Sequence, residues 1–161
     1  MGGGQERGRR GGTENVAGIV GLGKAAELAL LKLSQEQTKV RSLRDALQAG
    51  ILSSIPGVAL NGALEPRLPN TLNVSFEGVE AEGILLLLDR EGICASSGSA
   101  CTTGSLEPSH VLTAMRCSAD RARSSVRFSL GIYNTEQDVA RAVDCLPKVI
   151  AKLRAHLPPR A

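Results

Sequence analysis

The stretch NTLNVSF, residues 70–76, sets Leu72, Val74 and Phe76 against Thr71, Asn73 and Ser75. Alternation of this kind has the period of a β-strand, whose successive side chains point to opposite faces. SSVRFSL, residues 124–130, repeats it, with Val126, Phe128 and Leu130 on one face and Arg127 and Ser129 on the other. Two half-apolar strands need a layer to cover their apolar side. Helical patterns elsewhere in the chain supply it.

From Val16 to Leu52 the sequence is mostly helix-forming. Apolar residues crowd VGLGKAAELALLKL, and Val40, Leu43, Leu47 and Ile51 recur at spacings of three and four. The polar SQEQTK between them predicts one long helix with a solvated middle, or two helices in line. IPGVALNG reads as a turn, a short strand and a second turn. EAEGILLLLDREG opens with acids and stops at Gly92, as a helix does. ICAS reads as a short buried strand, and Pro108 suits the first position of a brief helix through PSHVLTAM. Val139, Val143, Leu146, Ile150, Leu153 and Leu157 line one stripe of a last helix, in which Pro147 predicts a kink or a break. The order is helix, strand, strand, helix, strand, short helix, strand, helix. It predicts an α+β fold: a short four-stranded sheet packed on one side by helices.

With 42% hydrophobic residues the chain can build one core, and with 2% aromatics that core must be Leu, Val, Ile and Ala. No apolar run approaches the roughly 20 residues of a membrane-spanning helix. The first fifteen residues hold six glycines and three arginines without hydrophobic period, the pattern of a disordered basic arm. One basic repeat without aromatics and a net charge of +3 give no ground for nucleic-acid binding. No linker divides residues 16–157.

Four cysteines occur, Cys94, Cys101, Cys117 and Cys145, with only His110 and His156 beside them. No CxxC pair is present, so no metal site is expected. Cys94 and Cys145 lie in apolar patterns and read as small core residues, and Cys117 falls at a helix end. Cys101 differs, because Gly98, Ser99, Thr102, Thr103 and Gly104 flank it. Free thiols in such loops are oxidation liabilities, and a mobile loop suits a thiolate that collects a group at one place and delivers it at another. Arg127, alone between apolar residues, is either a solvated strand residue or a fork for a carboxylate.

RRGGTENVAGIVGLGKAAE, PNTLNVSF, SSGSACTTGSLEPSHVL and SSVRFSLG, in this order and spacing, together resemble the C-terminal part of the pyridoxal-phosphate-dependent cysteine desulfurases. The long cysteine loop resembles the subgroup that feeds iron–sulfur cluster assembly, and the first segment its nitrogen-fixation (NifS-like) branch. The resemblance implies the small domain of an aminotransferase-like, fold type I enzyme with a long N-terminal connecting helix. It implies conversion of L-cysteine to L-alanine, with the sulfur held as a persulfide on a loop cysteine. By match to the motifs, Cys101 is the nucleophile and Arg127 binds the substrate carboxylate. The same match implies that Thr13 reaches the cofactor phosphate of the neighbouring subunit in the family's homodimer. An iron–sulfur scaffold is the implied acceptor; the cytoplasm is the expected compartment because the first residues lack the apolar stretch of a secretory signal.

One departure accompanies the match. The family anchors its cofactor on a lysine in an SxHK stretch of the large domain, and none of Lys24, Lys32, Lys39, Lys148 and Lys152 follows a histidine. Residues 1–15 are therefore expected to be the cofactor-phosphate segment, and 16–161 the connecting helix plus small domain, with the large domain absent. Alone, the chain is expected neither to retain pyridoxal phosphate nor to turn over cysteine. The alternative is a cofactor-free module that presents the loop to a scaffold partner.

Overall fold

The computed structural model describes residues 3–97 and 109–156. Two units divide the chain, Met1–Gln35 and Glu36–Ala161. The first carries a single turn at Glu6–Gly8 and helix α1, Val16–Gln35. Gln5 Oε1 accepts the Gly12 N–H at 3.1 Å, and Arg10 Nη2 donates to the Thr13 carbonyl at 3.0 Å. No residue of α1 is buried, and its Val16, Ile19, Val20, Leu22, Leu30 and Leu31 are all exposed.

The second unit begins with a π-helical turn, Glu36–Val40, that passes directly into α2, Arg41–Ser54. The elements that follow are β1 (Val58–Leu60), β2 (Thr71–Phe76), α3 (Ala81–Arg90), β3 (Ser96–Ser97), α4 (His110–Ala114), α5 (Ala119–Arg123), β4 (Ser125–Ser129) and α6 (Glu136–Ala155). The strands form one antiparallel sheet in the order β1-β2-β4-β3. Its apolar face carries Leu72, Val74 and Phe76 from β2 opposite Phe128 and Val126 from β4 and Leu60 and Val58 from β1. Helices α2, α3 and α6 contribute Leu43, Leu47, Ile51, Ile84, Leu88, Leu146 and Ile150 to the same core.

Close approach of α2 to α6 depends on Gly50. A Cβ there would lie 2.5 Å from Val143 Cγ2, well inside contact distance. Helix α3 ends where Gly92 takes φ +71°, with Ile93 N–H bonded to the Leu88 carbonyl and Gly92 N–H to that of Asp89. Helix α6 starts with a capping box: Thr135 Oγ1 accepts the Asp138 N–H and Asp138 Oδ2 accepts the Thr135 N–H at 2.8 Å.

Two expectations are corrected, and one helix is added. Of the kink or break expected at Pro147 the break does not occur: helix α6 runs through it, with Leu146, Val149 and Ile150 on either side buried and holding the chain helical. The strand expected over ICAS forms at Ser96–Ser97, and Cys94 is exposed. Alternation after Gly92 turns Ile93 and Ala95 toward the core and Cys94 away from it. The one-turn helix α5, which no hydrophobic period announces, is set by Ser118 capping the Arg121 N–H at 3.3 Å. Leu157 and Pro108 lie outside the described residues.

Candidate functional site

The pairing that builds the apolar face also builds its reverse. Register sets Thr71 opposite Ser129, Asn73 opposite Arg127, and Ser75 opposite Ser125, with Ser96 of β3 on the other side of Arg127. Each pair shares the face away from the core, with Cβ atoms roughly 5 Å apart. Ser75 and Ser125 are buried, Thr71, Asn73, Arg127 and Ser96 are half-buried, and Ser129 is exposed. A strip of polar side chains therefore runs across the open side of the sheet, with one guanidinium among them.

Arg127 is half-buried, yet its Nε is inaccessible to solvent and has no hydrogen-bond partner. Among the described residues it is the one such atom. A buried donor without a partner carries an uncompensated desolvation cost of about 1–3 kcal/mol. Native structures rarely hold one without a reason, and a ligand at that place is one such reason.

Beside it lies a bonded network. Arg121 Nε donates to Asn61 Oδ1 at 2.7 Å, and its Nη2 to the Leu60 carbonyl at 2.6 Å. Asn61 Nδ2 then donates to Asn73 Oδ1 at 2.6 Å and to Ser125 Oγ at 2.8 Å. Cys117 Sγ stands 4.0 Å from Asn61 Oδ1. Asn61, Arg121 and Ser125 were not among the candidates drawn from the sequence. Period-two counting from Arg127 marks Ser125 and Asn73, but Asn61 and Arg121 come from a turn and a one-turn helix that no local pattern joins to the strand.

Thr13 is exposed on the arm of the first unit, two residues before Asn15, whose Oδ1 accepts the Gly18 N–H at the start of α1. Gly12, with φ +94°, has nothing within 4 Å of where a Cβ would stand, so the backbone there is open to a close ligand. Cys101 lies outside the described residues. β3 ends at Ser97, four positions before it, and the chain is described again from Ser109. Cys145 is half-buried against the core, and burial first, then Glu91, raises its thiol pKa. Among the described residues no three His, Cys, Asp or Glu side chains cluster as metal ligands. No helix of the described residues is long and apolar enough to cross a membrane.

Fold and site together define an α+β domain with a half-buried guanidinium on the polar face of its sheet. The chain belongs to the aminotransferase class-V family, which it matches over residues 3–142. It is 57% identical over 157 residues to a cysteine desulfurase of Gluconacetobacter diazotrophicus, covering 98% of this chain and 39% of the relative. To the cysteine desulfurase NifS of Azotobacter vinelandii it is 55% identical, covering 95% of this chain and 38% of the relative. The X-ray structure of a NifS-like protein from Rickettsia africae superposes with a TM-score of 0.79 at 34% identity, over 94% of this chain and 39% of that one. The chain therefore spans about two-fifths of the length of these relatives.

Membership of that family implies pyridoxal phosphate in such enzymes, and the residues present fit it in part only. Thr13 and the open glycine backbone suit a phosphate. No lysine stands on the polar sheet face: Lys24 pairs with Glu27, Lys39 donates to the Ile132 carbonyl, and Lys148 pairs with Asp144. Lys32 belongs to α1, and Lys152 to α6. An anchor for the ring is not among the described residues.

Proposed function

We propose that this chain is the part of a cysteine desulfurase that carries the sulfur-accepting thiol and the clamp for the substrate carboxylate. Arg127 is the observation that supports this best, a guanidinium with a buried, unpartnered Nε on an open polar face. A carboxylate accepts parallel bonds from a guanidinium and adds charge attraction, so such a ligand suits a side chain whose protein partners are incomplete. The relatives' names point to L-cysteine as the molecule that brings it. Exposed apolar residues along α1 favour a longer enzyme, since large apolar surfaces are seldom left uncovered.

In this reading the Cys101 thiolate attacks the sulfur of the bound substrate. An S–S bond forms as the substrate's C–S bond breaks, the electron pair leaves with carbon, and protonation there gives L-alanine. Cys101 lies four positions beyond Ser97, a tether of at most about 14 Å at full extension. Because Ser96 pairs with Arg127, that tether starts beside the carboxylate clamp. Pyridoxal phosphate, when bound, supplies the electron sink for this chemistry. Thr13 is proposed to reach its phosphate in the neighbouring subunit of a homodimer. The persulfide then passes to an acceptor such as an iron–sulfur scaffold, in the cytoplasm, in the NifS-like supply branch that serves nitrogen fixation.

Mass spectrometry after one turnover of the full-length enzyme tests the proposal by locating the added sulfur. It is expected on the peptide that holds Cys101. Cys101→Ser should stop persulfide formation and alanine release while leaving cofactor binding intact, and replacing Cys94, Cys117 or Cys145 should not. Arg127→Ala should lower kcat/KM for L-cysteine by about ten- to a hundredfold. Sulfur on another cysteine, or an unchanged kcat/KM, overturns the assignment concerned.

A further inference from the structure

We infer that Asn73 is a second ligand of the substrate carboxylate, a neutral donor set beside Arg127 and aimed by Asn61 and Arg121. The inference rests on reading Arg127 as the carboxylate clamp. It begins from the fact that a guanidinium can only donate. Arg121 Nε, 2.7 Å from Asn61, therefore fixes that end of the Asn61 amide as the oxygen. The other end is then the NH2 group, and it faces Asn73 at 2.6 Å and Ser125 Oγ at 2.8 Å. Asn73 must answer with its own oxygen. What Asn73 has left to offer is its Nδ2, a donor with two N–H bonds.

The sheet decides where that donor stands. Asn73 lies directly across the β2–β4 ladder from Arg127, on the same half-buried face. A cross-strand pair has its Cβ atoms about 5 Å apart, so two side chains of this length reach a common ligand between or above them. Arg127 brings charge and a buried Nε that lacks a partner. Asn73 brings a neutral donor whose orientation is already determined before anything binds. An amide free to flip would offer its oxygen half the time and repel an anion, and the link to Arg121 removes that freedom. The pair therefore selects for a carboxylate, whose two oxygens accept from both residues, over a neutral group of similar size.

Steady-state kinetics of the full-length enzyme test this, with Asn73→Ala, Asn73→Asp and Arg127→Ala compared in parallel. Competitive inhibition by 3-mercaptopropionate, which has thiol and carboxylate, is set against propanethiol, which has no carboxylate. Asn73→Ala should raise KM for L-cysteine and Ki for 3-mercaptopropionate by about tenfold, the worth of one bond to a charged group. It should leave kcat and the Ki for propanethiol within about twofold. Asn73→Asp keeps an oxygen for Asn61 and nearly the same shape, so it guards against a folding defect. It replaces the donor by a negative charge and should cost more than Ala.

If both Asn73 variants keep KM and Ki within about twofold of wild type while Arg127→Ala raises them, Asn73 is no ligand and the clamp reading of Arg127 stands. A parallel loss of propanethiol affinity assigns Asn73 a structural role and also overturns the inference. If Arg127→Ala leaves KM unchanged, the clamp itself falls, and the inference with it.

Discussion

The two faces of the β2–β4 ladder are made by the same ten residues and obey opposite rules. Toward the helices, Leu72, Val74, Val126 and Phe128 are at most 4% exposed and belong to the hydrophobic core. Toward the open side, Asn73 and Arg127 are half-buried, and one guanidinium nitrogen is left without a partner. The apolar face is closed by the helices, while the polar face keeps one buried donor without a partner. The packed core lies on the first face and the polar network on the second, although a single strand carries alternate residues of each.

The sharpest way to break this comparison is to mutate adjacent residues of β4. Phe128→Ala empties a packed site and should destabilise the protein by about 3–5 kcal/mol. Arg127→Met keeps much of the volume and removes a buried donor that nothing satisfies, so it should leave the protein at least as stable as wild type. Thermal unfolding followed by circular dichroism reads both. A destabilisation by Arg127→Met comparable with that of Phe128→Ala would mean that the polar face, too, is structural.

Much of this division is legible in the sequence. Alternation alone assigns Leu72, Val74, Phe76, Val126 and Phe128 to the core side and Arg127 to the other, and the stripe Val40, Leu43, Leu47, Ile51, running from the π-helical turn into α2, is buried as its spacing predicts. What is not legible depends on partners far away in the chain. Arg44 sits one helical turn from Val40 and looks like a surface residue, yet it is 2% exposed because Leu68, 24 positions on, brings a carbonyl to its Nη1 at 3.0 Å. Likewise Asn61 aims Asn73 only because strand pairing and helix α5 deliver Ser125 and Arg121 to it. Periodicity reports which side a residue faces, and it carries no information on which polar groups meet there.

Within the apolar side, Gly50 separates close packing from mere burial. In an exposed helix, Gly→Ala stabilises by about 0.5–1 kcal/mol through the unfolded chain. Here the new methyl meets Val143 Cγ2 at 2.5 Å and Cγ1 at 2.9 Å, and a β-branched side chain in a helix has little rotamer freedom with which to give way. The clash wins, and Gly50→Ala should cost about 1–3 kcal/mol. In a Val143→Ala background the same substitution should lose its penalty or reverse sign. Equal penalties in both backgrounds would place the strain elsewhere.

The smallest effect expected concerns how the apolar side's longest helix is started rather than what it covers. Thr135 caps α6 at a site exposed to solvent, so nothing is packed there, and Thr135→Ala should cost only about 1 kcal/mol. Its reciprocal partner gives the effect a pH signature. The Thr135 backbone N–H, and then the Thr135 side chain, hold the Asp138 carboxyl below the ordinary carboxylate range. A depressed folded pKa contributes stability that is full above the unfolded value, about 3.9, and is lost as pH falls through the folded one. The difference in Tm between wild type and Asp138→Ala should therefore be constant from neutral pH down to about 4 and close below that. Phe128→Ala, which removes no titratable group, should keep its deficit across the same range. A cap whose contribution did not fade in acid would owe nothing to the Asp138 charge, and the end of α6 would then be held by Thr135 alone.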